Sequence, residues 1–448
     1  MENLLEKYLE TVRHTETMVY SGKVFAVRGL LIESRGPRAV IGELCYFTIE
    51  GEAAAERRVM AEVTGLRDNI VQLMAYSDTA GITVGTRVTA TGHCLEVPVS
   101  PALLGRILGP LGTPIDGKGE IQTLTRYPAA AQPPPALGRE VIRRRITTGV
   151  RAVDALLPVG QGQRLGIFAG SGVGKSTFQG MLARNTSADV NVIALVGERG
   201  RELNDFLEKS LGQDGLERSV VVVATSDQSS LSRLRGAFVA TAVAEYFRDQ
   251  GLNVMFFLDS LTRLAHAQRE IGLASGEPPA QRGYTPSVFD MMPRLLERAG
   301  PAEKGSITAF YTVLVDGDDL DEPISDKARS ILDGHIVLSR ALASRGHYPA
   351  VDVLGSVSRV AQDVAGAAEQ QAAARLRTWM ADYASNEDVI NAGAYKAGAN
   401  PAIDAAILKK SAIDTFLRQP PGERSTLEET LQALAAIAEV EIPEEERS

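Results

Sequence analysis

Apolar positions along this chain follow several rhythms, and each predicts a different kind of element. In residues 2–16, Leu4, Leu5, Tyr8, Leu9 and Val12 recur at helical spacing among Glu, Lys and Arg. That spacing predicts a short amphipathic helix whose apolar stripe is covered either by the next domain or by a partner's helix. From about 21 to 95 the text breaks into short runs such as KVFAVRG, AVIGELCYFTI, RVMAEVTGL and TRVTATG, parted by turns bearing Gly, Asn and Asp. These runs predict a small β-barrel or sandwich. Between about 160 and 345, apolar runs (QRLGIFA, NVIALVG, SVVVVAT, NVMFFLD, SITAFYTVLV) alternate with amphipathic helical stretches. Strands apolar on both faces, alternating with helices, predict a parallel sheet covered on two sides. Ligands of such sheets sit beyond the strands' carboxyl ends.

The joints are equally legible. Residues 103–119 are punctuated by Gly and Pro, and 127–138 (YPAAAQPPPALG) form a proline-rich extended segment, so both read as connectors. After about 360 the chain turns Ala-, Gln- and Glu-rich and predicts a helical region. Asn400 and Pro401 suit an N-cap with Pro at the first helical position, and 425–428 (STLE) matches a capping box. The expected division is a helix at 1–18, a β-barrel at 19–96, an α/β nucleotide domain at 97–360 and a helical domain at 361–448.

Composition narrows the function. Of the 448 residues, 44% are hydrophobic and 23% charged, the balance of a folded globular chain. A net charge of -9 argues against tracking nucleic acid, which needs a basic face, and 5% aromatic content gives little for base stacking. Cys45 and Cys94 and the five histidines (His14, His93, His266, His335, His347) show no metal-ligand spacing. The charged N-terminus lacks a signal peptide's apolar core, and no run is long enough to span a bilayer. A cytoplasmic protein is expected. Arg143, Arg144 and Arg145 form a basic run that is either a solvated charge cluster or a contact for phosphate or lipid.

The chemistry begins at AGSGVGKST. A phosphate-binding loop needs glycines so that backbone N–H groups face the phosphates, a Lys for the β/γ oxygens and a hydroxyl for Mg²⁺. Ala169, Gly170, Ser171, Gly172, Val173, Gly174, Lys175, Ser176 and Thr177 supply this, with Ala169 where the usual pattern has Gly. The loop follows an apolar strand and opens a helix, as the motif requires. A second apolar run, VMFFLD, ends in Asp259, a candidate for the Mg²⁺ shell from the neighbouring strand. Glu198 follows NVIALVG, where a carboxylate is placed to polarise water for in-line attack. Arg199 and Glu202 lie beside it. A surface charge cluster capping a helix that starts near Arg201 is the other reading of GERGRE.

Taken with GERGRELNDF, LDSLTR, EPPAQRGYTPSVF, DGDDLDEPISDKARSILDGHIVLSR and HYPAVDVLGSVSR, the loop resembles that of the flagellar protein-export ATPases. That family is related to the virulence type III secretion ATPases and to the catalytic subunit of the rotary ATP synthase. The resemblance covers roughly residues 20–420 and includes Ala169. It implies ATP and Mg²⁺ as ligands, with Lys175 on the β/γ-phosphates, Ser176 on the metal, Glu198 as the catalytic carboxylate, and Arg199 and Glu202 near the γ-phosphate and the metal's waters. Asp259 belongs to the metal shell, with Arg263 as its neighbour. Arg359 enters the adjacent subunit's site, which implies a homohexameric ring. Tyr348 stacks on adenine, and Tyr395 flanks it. Residues 277–289 and 316–321 resemble central-channel loops facing a stalk protein.

The same resemblance implies a regulator bound at the N-terminal helix, export substrates or chaperones as partners, no nucleic acid, and peripheral attachment to the inner-membrane export gate. Two readings compete with flagellar export: a virulence secretion ATPase, and a ring subunit that binds nucleotide without hydrolysing it. A ring-shaped RNA translocase shares the nucleotide core but not the charge.

Overall fold

The computed structural model describes residues 20–49, 56–315, 319 and 321–447. The amphipathic helix expected at 2–16 and most of the acidic 316–321 run lie outside them. Two compact units emerge. One comprises the chain up to Glu96 with residues 228–232 and 267–286, and the other holds the remainder.

In the first unit the six strands Ser21–Arg28, Leu31–Arg35, Glu43–Ile49, Arg57–Arg67, Ile70–Ala75 and Arg87–Cys94 close into a barrel, so barrel, not sandwich, is the outcome. The cause is alternation. In Glu43–Ile49, every second residue from Glu43 to Phe47 is buried, and Cys45, Phe47, Val59, Ala61, Val63 and Leu73 fill the interior. Closure leaves no unpaired edge.

The second unit is built on a nine-stranded sheet. Along it lie Val351–Ser358, Gly334–Leu338, Arg164–Ala169, Ser306–Leu314, Asn253–Asp259, Val190–Val196, Ser219–Ala224 and Arg106–Leu108, with Gly300–Pro301 paired to Ser306–Leu314. All neighbours are parallel except Val351–Ser358 and Gly300–Pro301. Val190–Val196 and Ser219–Ala224 are buried at every residue, as a sheet covered on both faces requires. The connector at 103–119 contributes the edge strand Arg106–Leu108, fastened by Arg106 to Asp116 at 2.7 Å. One expectation fails. Ser306–Leu314 inserts between the loop strand Arg164–Ala169 and the Asp259 strand, so those two are not neighbours.

The helices Ala367–Asn391, Pro401–Leu417 and Leu427–Ala438 share a buried cluster with the sheet that includes Leu376, Phe416, Leu431, Ile193 and Phe257. Arg145 bonds both oxygens of Glu369 at 2.8 and 2.9 Å, so the basic run divides: Arg145 is a structural tie, while Arg143 and Arg144 are exposed. Trp379 lies between Arg375 and Lys409, with the cations 5.0 and 5.5 Å from its ring. Asn400 caps its helix as expected, with Pro401 next. The capping box sits one residue later than expected, on Thr426 and Glu429, because the Ser425 hydroxyl accepts a bond from Arg151 at 3.1 Å. No helix among the described residues is long and apolar enough to cross a membrane.

Candidate active site

At the carboxyl edge of the sheet three strands deliver three groups. Arg164–Ala169 runs into the Gly-rich loop, Val190–Val196 ends two residues before Glu198, and Asn253–Asp259 ends in its carboxylate. The loop turns at Gly172 (φ 78°) and Gly174 (φ 88°), left-handed backbone that favours glycine. Buried Val173 anchors it, while Ser171, Gly172, Ser176 and Thr177 face solvent. Buried Ala169 accepts a bond from Val315 at 3.1 Å. Lys175 opens the helix Lys175–Asn185, whose first-turn N–H groups and dipole favour an anion.

The Lys175 side chain is only 14% exposed, and its ammonium lies 2.6 Å from Asp259 Oδ1 and 3.3 Å from Glu198 Oε1. Asp259 and Glu198 are themselves buried. Arg263 reaches the other Glu198 oxygen at 3.4 Å and donates to the Gly197 carbonyl. Gly197 makes that approach possible, since a Cβ there would lie 2.9 Å from Arg263 Cδ. Arg263 is therefore tied to Glu198 as well as standing near Asp259. Arg199 and Glu202 pair at 3.6 Å on the exposed rim. The helix they open starts at Gly200 and passes into a π-helical stretch, Phe206–Leu211.

Electrostatics follow from burial and neighbours. Burial alone would lower the Lys175 pKa, but Asp259 and Glu198 outweigh it and hold the ammonium charged. Burial raises Glu198, and its hydrogen bond to Glu202 adds to that shift. The same bond lowers Glu202. Burial likewise raises Asp259 against the pull of Lys175. Three carboxylates thus face two cations, Lys175 and Arg263, beside an open Gly-rich cradle, and Arg263 Nε is buried without a partner. That arrangement fits a magnesium–nucleotide complex. Among the described residues, no group of three His, Cys, Asp or Glu forms a metal cage. A cation here would draw ligands from phosphates, water and the Ser176 hydroxyl, as Mg²⁺ does.

The remaining expected residues separate. The Tyr348 ring lies at the loop: a Cβ on Gly174 would be 3.3 Å from its Cε1. The Tyr395 hydroxyl donates at 3.0 Å to Asn400 O and to Asp404 at the start of the helix Pro401–Leu417. Arg359 lies at the opposite end of the sheet. Val351 is level with Leu338 and through it with Ala169, whereas Ser358 is level with Gly334. At about 3.3 Å per residue, the four steps from Leu338 to Gly334 put Ser358 about 13 Å along the sheet from the level of Ala169. Arg359 is exposed and donates to Arg329 O at 3.1 Å. Of the two segments compared with channel loops, 277–289 forms a turn at Gln281–Gly283 followed by the helix Pro286–Leu296.

The sequence reading overlooked Gly197, for which the strand-to-loop step before a carboxylate was the available signal. It also overlooked the loop at 418–425, whose carbonyls bind Arg151, Arg184 and Asn185. The proline pair after Gln419 marked that loop without showing its contacts.

Comparison with known proteins agrees with this fold. Residues 149–358 match the model of the ATP synthase alpha/beta family nucleotide-binding domain, 24–92 that family's β-barrel domain, and 365–436 the T3SS EscN ATPase C-terminal domain. The chain is 56% identical to the flagellum-specific ATP synthase of Treponema pallidum over 98% of both chains, and 51% identical to that of Bacillus subtilis over 96% of this chain and 98% of that one. It is 48% identical to the type 3 secretion system ATPase of Xanthomonas euvesicatoria over 98% of both. The assembled ATPase EscN of the enteropathogenic E. coli type III secretion system superposes with a TM-score of 0.87 at 44% identity, covering 93% of this chain and 100% of that one. The chain therefore belongs to the ATP synthase alpha/beta family, in the branch of the flagellum-specific ATP synthases and type 3 secretion system ATPases.

Proposed function

We propose that this ATPase hydrolyses Mg²⁺-ATP at the interfaces of a homohexameric ring and thereby energises flagellar protein export. The observation that carries the reading is the buried Lys175 ammonium held between Asp259 and Glu198 beneath an open glycine cradle. In the absence of nucleotide the lysine neutralises the carboxylates. When phosphates enter, Lys175 turns to the β/γ oxygens and frees both acids. Glu198 then accepts a proton from the attacking water, and Arg263 keeps its carboxylate aimed. Ser176 would hold the metal, with Asp259 in its outer shell and Glu202 and Arg199 ordering its waters and the γ-phosphate. Bound Mg²⁺ would supply neutralisation of the charge that builds on the phosphates. Tyr348 stacks on the base, and Tyr395 is a weaker second wall.

Arg359 serves the neighbouring copy's site. Its distance from its own chain's loop supports this, and a planar guanidinium suits charge spread over γ-phosphoryl oxygens. A ring then follows, with a central stalk as partner. A solved complex of the assembled EscN with its central stalk EscO, at TM-score 0.86 and 43% identity, supports that part of the reading. The regulator at residues 2–16, export substrates or chaperones as partners, channel loops at 277–289 and 316–321, and peripheral attachment to an export gate complete the proposal. Functional boundaries are taken at 19–96, 97–360 and 361–448.

The virulence branch is the second reading, favoured by the match of 365–436 to the EscN C-terminal domain. Replacing the chromosomal gene with Glu198→Gln tests both. Loss of filament protein secretion and swimming with virulence effectors still secreted supports the flagellar assignment, and the reverse pattern contradicts it. A purified protein that binds ATP but shows no turnover at any concentration would establish a non-catalytic ring subunit instead.

A further inference from the structure

The loop after the helix Pro401–Leu417 is joined to three points around the nucleotide cradle, and one side chain lies where they meet. Gln419 is 1% exposed. Its Oε1 accepts from the Arg151 N–H at 2.9 Å, and its Nε2 donates to Gly149 O at 2.8 Å and to Glu423 O at 3.0 Å. Its own N–H donates to Tyr348 O at 2.9 Å. Both ends of this buried amide are satisfied, as a positioning group requires. Around it, Arg151 binds the carbonyls of Phe416 at 2.8 Å and Arg418 at 2.6 Å. Arg184, near the far end of the phosphate-loop helix, binds Pro421 O at 2.6 Å, and Asn185 binds Glu423 O at 3.3 Å.

The near end of the same helix begins at Gly174, against the Tyr348 ring. Tyr348 itself is 43% exposed, so burial does little to fix its ring. Pro420 and Pro421 offer no N–H, so the loop's anchoring falls on its carbonyls and on the Gln419 amide. We propose that Gln419 is a positioning residue for nucleotide binding: its buried amide holds the 418–425 loop in place, and the main-chain N–H so placed fixes the backbone of Tyr348 beside the phosphate loop. This rests on the reading of Tyr348 as the aromatic that stacks on the base. The segment also joins the C-terminal helices to the far end of the phosphate-loop helix through Arg184 and Asn185 and, by way of Tyr348, to its near end.

The test uses the full chain at a concentration that supports turnover, with ATP as substrate and inorganic tripolyphosphate as competitor. Gln419→Met should raise KM for ATP about tenfold while kcat stays within about twofold, and the tripolyphosphate inhibition constant should not move. Combined with Tyr348→Ala, it should weaken ATP no further than Tyr348→Ala alone. An unchanged KM in Gln419→Met beside a raised KM in Tyr348→Ala overturns the proposal and leaves base stacking intact. An unchanged KM in Tyr348→Ala removes the stacking reading and the proposal with it. Equal losses for ATP and tripolyphosphate, or additive losses in the double variant, mark a general structural role and also overturn it. Fluorescence of Trp379, the chain's single tryptophan, reports whether Gln419→Met is folded. If it is not, Arg184→Ala carries the test: about a threefold rise in KM for ATP alone supports the proposal, and no rise contradicts it.

Discussion

The two ends of the central sheet present their charged groups in opposite ways. At the carboxyl end, Lys175, Glu198 and Asp259 converge within 3.3 Å contacts in a buried pocket. At the amino end, Arg359 stands exposed after Ser358, level with Gly334 and not with the loop. One set is assembled by the fold of a single chain. The other is presented outward, bonded within its chain to the Arg329 carbonyl. On the proposed function, phosphate binding and water activation are properties of the single chain, whereas completion of the site depends on how copies meet. The contrast also separates two ways of losing activity: damage at the carboxyl end disturbs the chain's own charge balance, and damage at the amino end leaves it intact.

The largest effect is expected from Lys175→Ala. It removes the phosphate contact and leaves Asp259 and Glu198 buried without their cation, so turnover should fall at least about 10³-fold and nucleotide binding with it. A variant that retained ATP affinity, measured by equilibrium binding, would detach Lys175 from the phosphates. Next, Arg359→Ala should lower turnover by about 10³-fold or more while nucleotide affinity stays within about threefold. Comparable loss of affinity would place that arginine in ground-state binding and blur the contrast between the two ends.

Smaller is Gly174→Ala, which forces a Cβ into left-handed backbone 3.3 Å from the Tyr348 ring. KM for ATP should rise about tenfold, the scale of backbone strain of 1–3 kcal/mol. Smallest is Glu202→Gln. Burial and the bond to Glu202 raise the Glu198 pKa, so a base that must be ionised loses activity as pH falls through that raised value. Replacing the acceptor Glu202 lets Glu198 ionise at lower pH. The acid limb of kcat/KM should therefore move downward, and a pH profile with an unmoved or rising limb would assign the limb to another group.

Much of this was readable in the chain itself because the signals are local. Continuous apolar runs such as VNVIALV announce a doubly covered sheet, and alternation in ELCYFTI announces a barrel wall. A Gly-rich loop between a strand and a helix announces a phosphate cradle. What stayed hidden depends on distant partners. Ser425 and Thr426 both have Glu three residues on, and only the hold of Arg151 on the Ser425 hydroxyl selects Thr426 as the cap. The insertion of Ser306–Leu314 beside the loop strand reflects crossover order, which no local pattern encodes. The opposed placement of Arg359 emerges only from the register of two antiparallel strands.

The central claim is that each hydrolytic site is completed by a second copy of the chain. Glu198→Gln and Arg359→Ala, each inactive alone, are mixed at concentrations that permit assembly, and steady-state ATP turnover is recorded. A shared site predicts recovered turnover, because some interfaces then pair an intact Glu198 with an intact Arg359 from the neighbouring subunit. No recovery in a mixture that forms mixed oligomers would contradict the account.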